Sequence, residues 1–177
     1  MIAIESPDKS FLGREFLTWL WFRTEEYGGV FELPGLGPIG LAFDKLLEFR
    51  EEEFSTQVTI RSDAATRTPE AQVAIQTGKH LVKARLVLGF GEENYEFTLD
   101  SETLDIQSLK VPKSTGEDSM DRMFEDVERM NLVAQIVQDL FGEFLKDRLA
   151  PEFEKNTASR IRGWIGDRLG LTSLTPS

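Results

Sequence analysis

Leu81-Val82-Lys83-Ala84-Arg85-Leu86-Val87-Leu88-Gly89-Phe90, then Gly91-Glu92-Glu93-Asn94, then Tyr95-Glu96-Phe97-Thr98-Leu99, is the stretch on which the fold turns. Val82, Ala84, Leu86, Leu88 and Phe90 fall at every second position, and so do Tyr95, Phe97 and Leu99. Successive side chains of a strand point to opposite faces, so each half reads as a strand with one buried face. The Gly91–Asn94 turn joins the halves into a hairpin. Lys83, Arg85 and Val87 are left on the opposite face.

A second hairpin lies upstream. Val30-Phe31-Glu32-Leu33 turns through Pro34-Gly35-Leu36-Gly37-Pro38 into a strand from Ile39 to Phe49. Phe54, Thr56, Val58 and Ile60 then alternate with polar residues, the mark of a half-buried strand. Thr68 to Gln76 is a short helix, with Thr68 as N-cap, Pro69 at the first helical position and Gly78 ending it. Leu104-Asp105-Ile106 adds a short strand before Pro112, and Ser114 to Asp118 is a polar loop.

Helices flank this sheet region. From Ser119 to about Leu149, Met120, Met123, Phe124, Val127, Met130, Ala134, Val137, Phe141 and Phe144 recur at spacings of three and four, which predicts one long amphipathic helix. Pro151 permits a new helix start, and Phe153 to Leu169 continues with Ile161, Trp164 and Ile165 as anchors. Phe11 to Glu26 is an N-terminal helix that Ser10 or Asp8 can cap, ended by Gly28-Gly29. Leu12, Phe16, Trp19 and Leu20 share one face of it; Arg14, Thr18, Trp21 and Glu25 share the other. Either this helix is buried on nearly all sides, or Trp21, with Arg14 and Thr18, faces a protein partner.

The expectation is an α+β fold: an antiparallel sheet of two hairpins packed against an N-terminal aromatic helix and a long C-terminal helix. Residues 1–10 read as linker, 11–150 as the domain, and 151–177 as a C-terminal helix with a tail frayed from Thr172 to Ser177. A chain of 177 residues with 40% hydrophobic content is one ordinary domain with material for a core.

Composition excludes several classes of chemistry. There is no cysteine, hence no disulfide, thiolate metal site or cysteine nucleophile. His80 is the one histidine, so sites needing two imidazoles cannot be built. Gly35-Leu36-Gly37-Pro38-Ile39-Gly40 has the spacing of a phosphate-binding glycine loop, but Pro34 closes a strand of only about four residues before it and no βαβ unit surrounds it, so it reads as a hairpin turn. Glu51-Glu52-Glu53 and Glu92-Glu93 read as solvated charge, because neighbours in a strand point apart. No catalytic residues, cofactor or metal are expected, and the chain reads as a binding or assembly protein rather than an enzyme. No apolar run approaches the roughly 18 residues of a membrane span, and Met1 to Lys9 lacks a basic start and a cleavage site, so a cytoplasmic protein is expected.

Charge is distributed unevenly. The net charge is −11, yet between Arg61 and Val87 the basic residues Arg61, Arg67, Lys79, Lys83 and Arg85 meet only Asp63 and Glu70. Lys83 and Arg85 share a strand face, which suits two contacts along a phosphate backbone. The same cations, paired with carboxylates on neighbouring strands, would instead keep one sheet face wet.

Two segments resemble the bacterial recombination-associated RdgC family. Phe11-Leu12-Gly13-Arg14-Glu15-Phe16-Leu17-Thr18-Trp19-Leu20-Trp21 looks like a motif midway through longer members. Ala74-Ile75-Gln76-Thr77-Gly78-Lys79-His80-Leu81-Val82-Lys83-Ala84-Arg85-Leu86 is similar to the family's helix, turn and following strand. The resemblance covers roughly Phe11 to Leu149 and corresponds to the C-terminal half of a family protein. It implies a non-catalytic protein that binds double-stranded DNA without sequence preference, two subunits closing into a ring that restrains RecA. A chain matching half of such a protein either pairs with a separate N-terminal half, self-associates through the aromatic helix, or is a remnant with a different role; with the local basic set, weak and salt-sensitive DNA contacts are expected, and neither a membrane nor a small-molecule substrate. The family's loop before the short helix carries a basic and amide pair; here that stretch reads Arg61-Ser62-Asp63-Ala64-Ala65, without it.

Overall fold

The computed structural model describes residues 10–51 and 55–167, with side chains from residue 13 onward. The linker reading of residues 1–9, the Asp8 cap, the side chain of Leu12, residues Glu52, Glu53 and Phe54, and the tail from residue 168 lie outside the described residues.

The architecture is α+β. In chain order it runs α1 (Ser10–Glu26), β1 (Val30–Leu33), β2 (Gly37–Glu51), β3 (Thr56–Arg61), a 3-10 turn (Ala65–Arg67), α2 (Pro69–Gln76), β4 (His80–Phe90), β5 (Glu93–Asp100), β6 (Asp105–Lys110), α3 (Ser119–Arg148), a π-helical turn (Glu154–Ala158) and α4 (Ser159–Asp167). All pairings are antiparallel, in the order β1-β2-β4-β5-β6, with β3 also on β2. Gly40 pairs both Val30 and Gly89, and Leu47 pairs both Ile60 and Ala84, so β1 and β3 lie end to end on one edge of β2 while β4 takes the other. The sheet is thus larger than two hairpins, because a strand as long as β2 has room for two short partners.

The glycine-rich segment is the expected hairpin turn, with Gly35 and Gly37 at φ of 80° and 85° and Leu33 facing Gly37. Thr68 caps α2 by accepting from the Ala71 amide at 3.2 Å. The last strand begins one residue later than Leu104, whose φ of 60° places it in the turn, so pairing starts at Asp105.

One face of the sheet builds the core. Leu81, Ala84, Leu86 and Leu88 of β4 and Tyr95, Phe97 and Leu99 of β5 are buried against Phe16, Leu17 and Leu20 of α1 and Val133, Ile136, Leu140 and Phe144 of α3. Burial of each Leu, Val, Ile or Phe side chain among them stabilises by about 1.5–3 kcal/mol before entropy is set against it. Leu81 joins the set because a register shift lies between the pairs Glu48–Lys83 and Phe49–Leu81. Gly13 lets α1 approach the end of β5: a Cβ there would stand 2.4 Å from the Ser101 carbonyl oxygen.

Trp21 corrects the partner-facing reading. It is 1% exposed, with Phe43 of β2 at 6.2 Å and Trp164 of α4 edge-on at 5.2 Å between ring centroids. The side of α1 opposite its main apolar face is covered by the segment after Leu149, which folds back over Trp21 and Phe22. Arg14 is tied to Glu102 at 3.6 Å, and Thr18 lines a small apolar cavity between helices. The three residues do not form one outward surface.

The long helix departs from its expected role in its first half. Val133, Ile136, Val137, Leu140 and Phe144 are buried, but Met120, Met123, Phe124, Val127 and Met130 are 46–58% exposed. This half presents its polar side to the body: Arg129 donates to Glu93 at 2.8 Å and to the Pro112 carbonyl at 3.3 Å, and Glu125 accepts from the Thr115 amide at 2.8 Å. Glu93 also accepts from the Tyr95 hydroxyl at 2.5 Å. Burial, reinforced by that carboxylate, pushes the Tyr95 phenol up to about 12, while the hydrogen bonds from Tyr95 and Arg129 hold Glu93 below its ordinary value.

Candidate nucleic-acid interface

The face of the sheet turned away from the core carries Lys83 and Arg85, as the alternation predicts. Around them lies a broad, shallow depression of about 860 Å³, lined only by sheet residues and the loop after β3. Lys45, Arg61, Lys83 and Arg85 line it, with polar Gln57, Thr59, Thr98 and Gln107 and the carboxylates Glu48 and Asp63.

Backbone irregularity builds part of this surface. Phe43 faces Leu86 and Leu47 faces Ala84, so β2 takes four steps where β4 takes two. The bulge between them sets Lys45 at the depression, its side chain 65% exposed.

Most of the cations on this face are shared with carboxylates. Lys83 stands 3.7 Å from Asp100, its cross-strand partner in the ladder, and Arg85 donates to Glu96 at 3.0 Å. Lys110 of β6 reaches the same Glu96 oxygen at 3.3 Å while remaining 71% exposed. Hydrogen bonds from Arg85 and then Lys110 hold the Glu96 carboxyl below its ordinary value. Lys45 stands 3.9 Å from an almost fully exposed Asp63. Arg61 is exposed at the end of β3.

The five basic residues expected to act together are therefore not one cluster. Arg61, Lys83 and Arg85 converge. Lys79 does not: it pairs with Glu51 at 3.2 Å and borders the cavity between the helices, since it lies in the turn between the end of α2 and the start of β4. Arg67 is exposed at the end of the 3-10 turn and does not line the depression. Lys45 and Lys110 belong to the surface but escape a linear reading, because they come from strands on either side of the Arg61–Val87 window.

Of the carboxylates on this face, Asp63, Asp100 and Glu96 stand 3.9, 3.7 and 3.0 Å from Lys45, Lys83 and Arg85, and Glu48 pairs with Arg50 at 2.9 Å. Among the described residues no group of three His, Asp or Glu side chains is placed to hold a metal ion, and no helix is long and apolar enough to cross a membrane. Compared with known proteins, the chain matches no family model and no curated sequence.

Proposed function

We propose that this domain binds duplex DNA weakly and without sequence preference through the outer face of its sheet, as part of an oligomer. The observation that carries the reading is the convergence of Lys45, Arg61, Lys83 and Arg85 on one open depression, with Lys110 beside it. Cations on a broad surface suit phosphate contacts, which position a duplex without reading bases. The carboxylates that hold Lys83, Arg85 and Lys110 compete with phosphate for them, and surface ion pairs of this kind are worth about 0–1 kcal/mol each, so exchange is cheap and affinity low. The resemblance to the RdgC family supports the same reading and extends it to a non-catalytic, cytoplasmic, nucleoid-associated protein that restrains RecA.

The test is duplex binding at low and moderate salt by the wild type and by a Lys45→Ala, Arg61→Ala, Lys110→Ala variant. These three side chains are well exposed, so their removal leaves the core intact. The wild type should bind with affinity that falls as salt rises, and each lost contact should flatten the log–log slope by about 0.9. Equal and negligible binding by both proteins overturns the reading.

A further inference from the structure

We propose that the outward face of the first half of α3 is the contact surface for a second copy of this chain, the two helices pairing antiparallel through Met120, Met123, Phe124, Val127 and Met130. This deepens the oligomeric part of the proposed function by giving it a surface, and it does not depend on nucleic acid.

The orientation of the helix carries the inference. An amphipathic helix ordinarily turns its apolar stripe to its own core. Here the side bearing Glu125 and Arg129 is tied down instead, to the Thr115 amide, the Pro112 carbonyl and Glu93. Rolling the helix to bury the five apolar residues would break all three contacts. The stripe is thus held outward by polar bonds on the opposite face, while the same helix from Val133 onward is buried normally.

Spacing and area point to the occupant. Met120, Met123, Val127 and Met130 follow a three-four-three interval, the seam of a two-helix coiled coil, with Phe124 beside Met123. Such a seam is complementary to itself under a two-fold axis. Five half-exposed side chains of this size offer on the order of 500 Å² of apolar surface per copy, in the upper part of the range that the largest patch of a monomer covers, where patches are often functional. Two copies bury about 1,000 Å², which reaches the lower bound for a specific interface. Antiparallel overlap places the two buried C-terminal halves at opposite ends of the seam. Methionines adapt their shape to the facing side chains.

Charge gives the inference a signature of its own. Asp121, Asp126 and Glu128 flank the stripe, so two copies repel one another at low ionic strength. Association should strengthen as salt rises, the opposite of phosphate binding.

The experiment is sedimentation equilibrium of the full chain without DNA, at about 50 mM and about 500 mM salt, for the wild type, a Met123→Glu, Val127→Glu variant and a Val73→Glu control. Val73 is exposed on α2, away from the stripe. The wild type should dimerise more tightly at high salt. The double variant, with an unchanged melting midpoint, should weaken dimerisation by at least about tenfold, and the control should match the wild type. A wild type that stays monomeric at both salt concentrations, or a dimer that the double variant leaves unchanged, overturns the proposal. Because no nucleic acid is present, DNA binding stands or falls separately.

Discussion

Trp21 and Trp164 meet edge to face, ring centroids 5.2 Å apart at 88°, and one carboxylate, Glu25, accepts a hydrogen bond from each indole at 2.9 and 2.7 Å. The contact joins the first described helix to the last. It gives the indole N–H groups a partner at the edge of the core, where a Trp is otherwise difficult to satisfy.

Trp21→Ala should therefore cost about 3–5 kcal/mol, the range for removing a large buried aromatic. Trp164→Ala, at a half-buried position, should cost less. The double variant should show a coupling of about 0.5–1.5 kcal/mol. Urea denaturation of the four proteins measures all three, and a loss below about 1 kcal/mol for Trp21→Ala would return that residue to the surface.

Asp147 accepts from the Trp19 indole, the Arg23 guanidinium and the Thr157 hydroxyl, each at 2.8 Å. Burial alone raises its carboxyl, but these hydrogen bonds outweigh burial and hold it below its ordinary value. A carboxyl depressed in the fold contributes stability that is complete above its unfolded value of about 4 and is lost as pH falls through the folded value. Asp147→Asn should lower the melting temperature at neutral pH and flatten its dependence on pH below about 5. Melting curves that stay parallel from neutral to acid pH would remove Asp147 from the acid response.

Gly13→Ala should destabilise by about 1–3 kcal/mol, although alanine favours a helix. The added methyl meets the Ser101 carbonyl at 2.4 Å and the Glu102 Cα at 2.9 Å, both backbone. Thermal denaturation decides the sign; a gain would mean that α1 and the β5–β6 turn are further apart.

Arg129→Met removes the tie between α3 and Glu93. Amides of residues 119–130 should exchange hydrogen faster while those of 133–144 keep their protection, because only the second half is held by the core. Uniform protection along α3 in the variant would show that another contact holds the first half.

Strands, hairpin turns and helices were legible in the sequence because they rest on local periodicity: the two-residue alternation of Leu86, Leu88, Tyr95 and Phe97, the Thr68-Pro69 helix start, and the glycines with positive φ. The inner and outer faces of β4 follow from the same alternation. What α1 buries was left open, since Trp21 sits on the polar side of its helical wheel and it is Phe43 and Trp164, distant in the chain, that cover this side.

Tertiary structure alone decided the candidate surfaces. Lys45 reaches the outer depression through a bulge, and Lys79 leaves the cation set by pairing with Glu51, neither of which follows from spacing. The apolar periodicity of α3 is nearly continuous from Met120 to Phe144, so the sequence by itself determined an amphipathic helix. Which half turns inward was decided by polar groups at a distance, Glu93 and the Thr115 amide, that bind the opposite side of its first turns. Periodicity states that a stripe must be buried, but whether by its own core or by another molecule depends on what lies across from it in space.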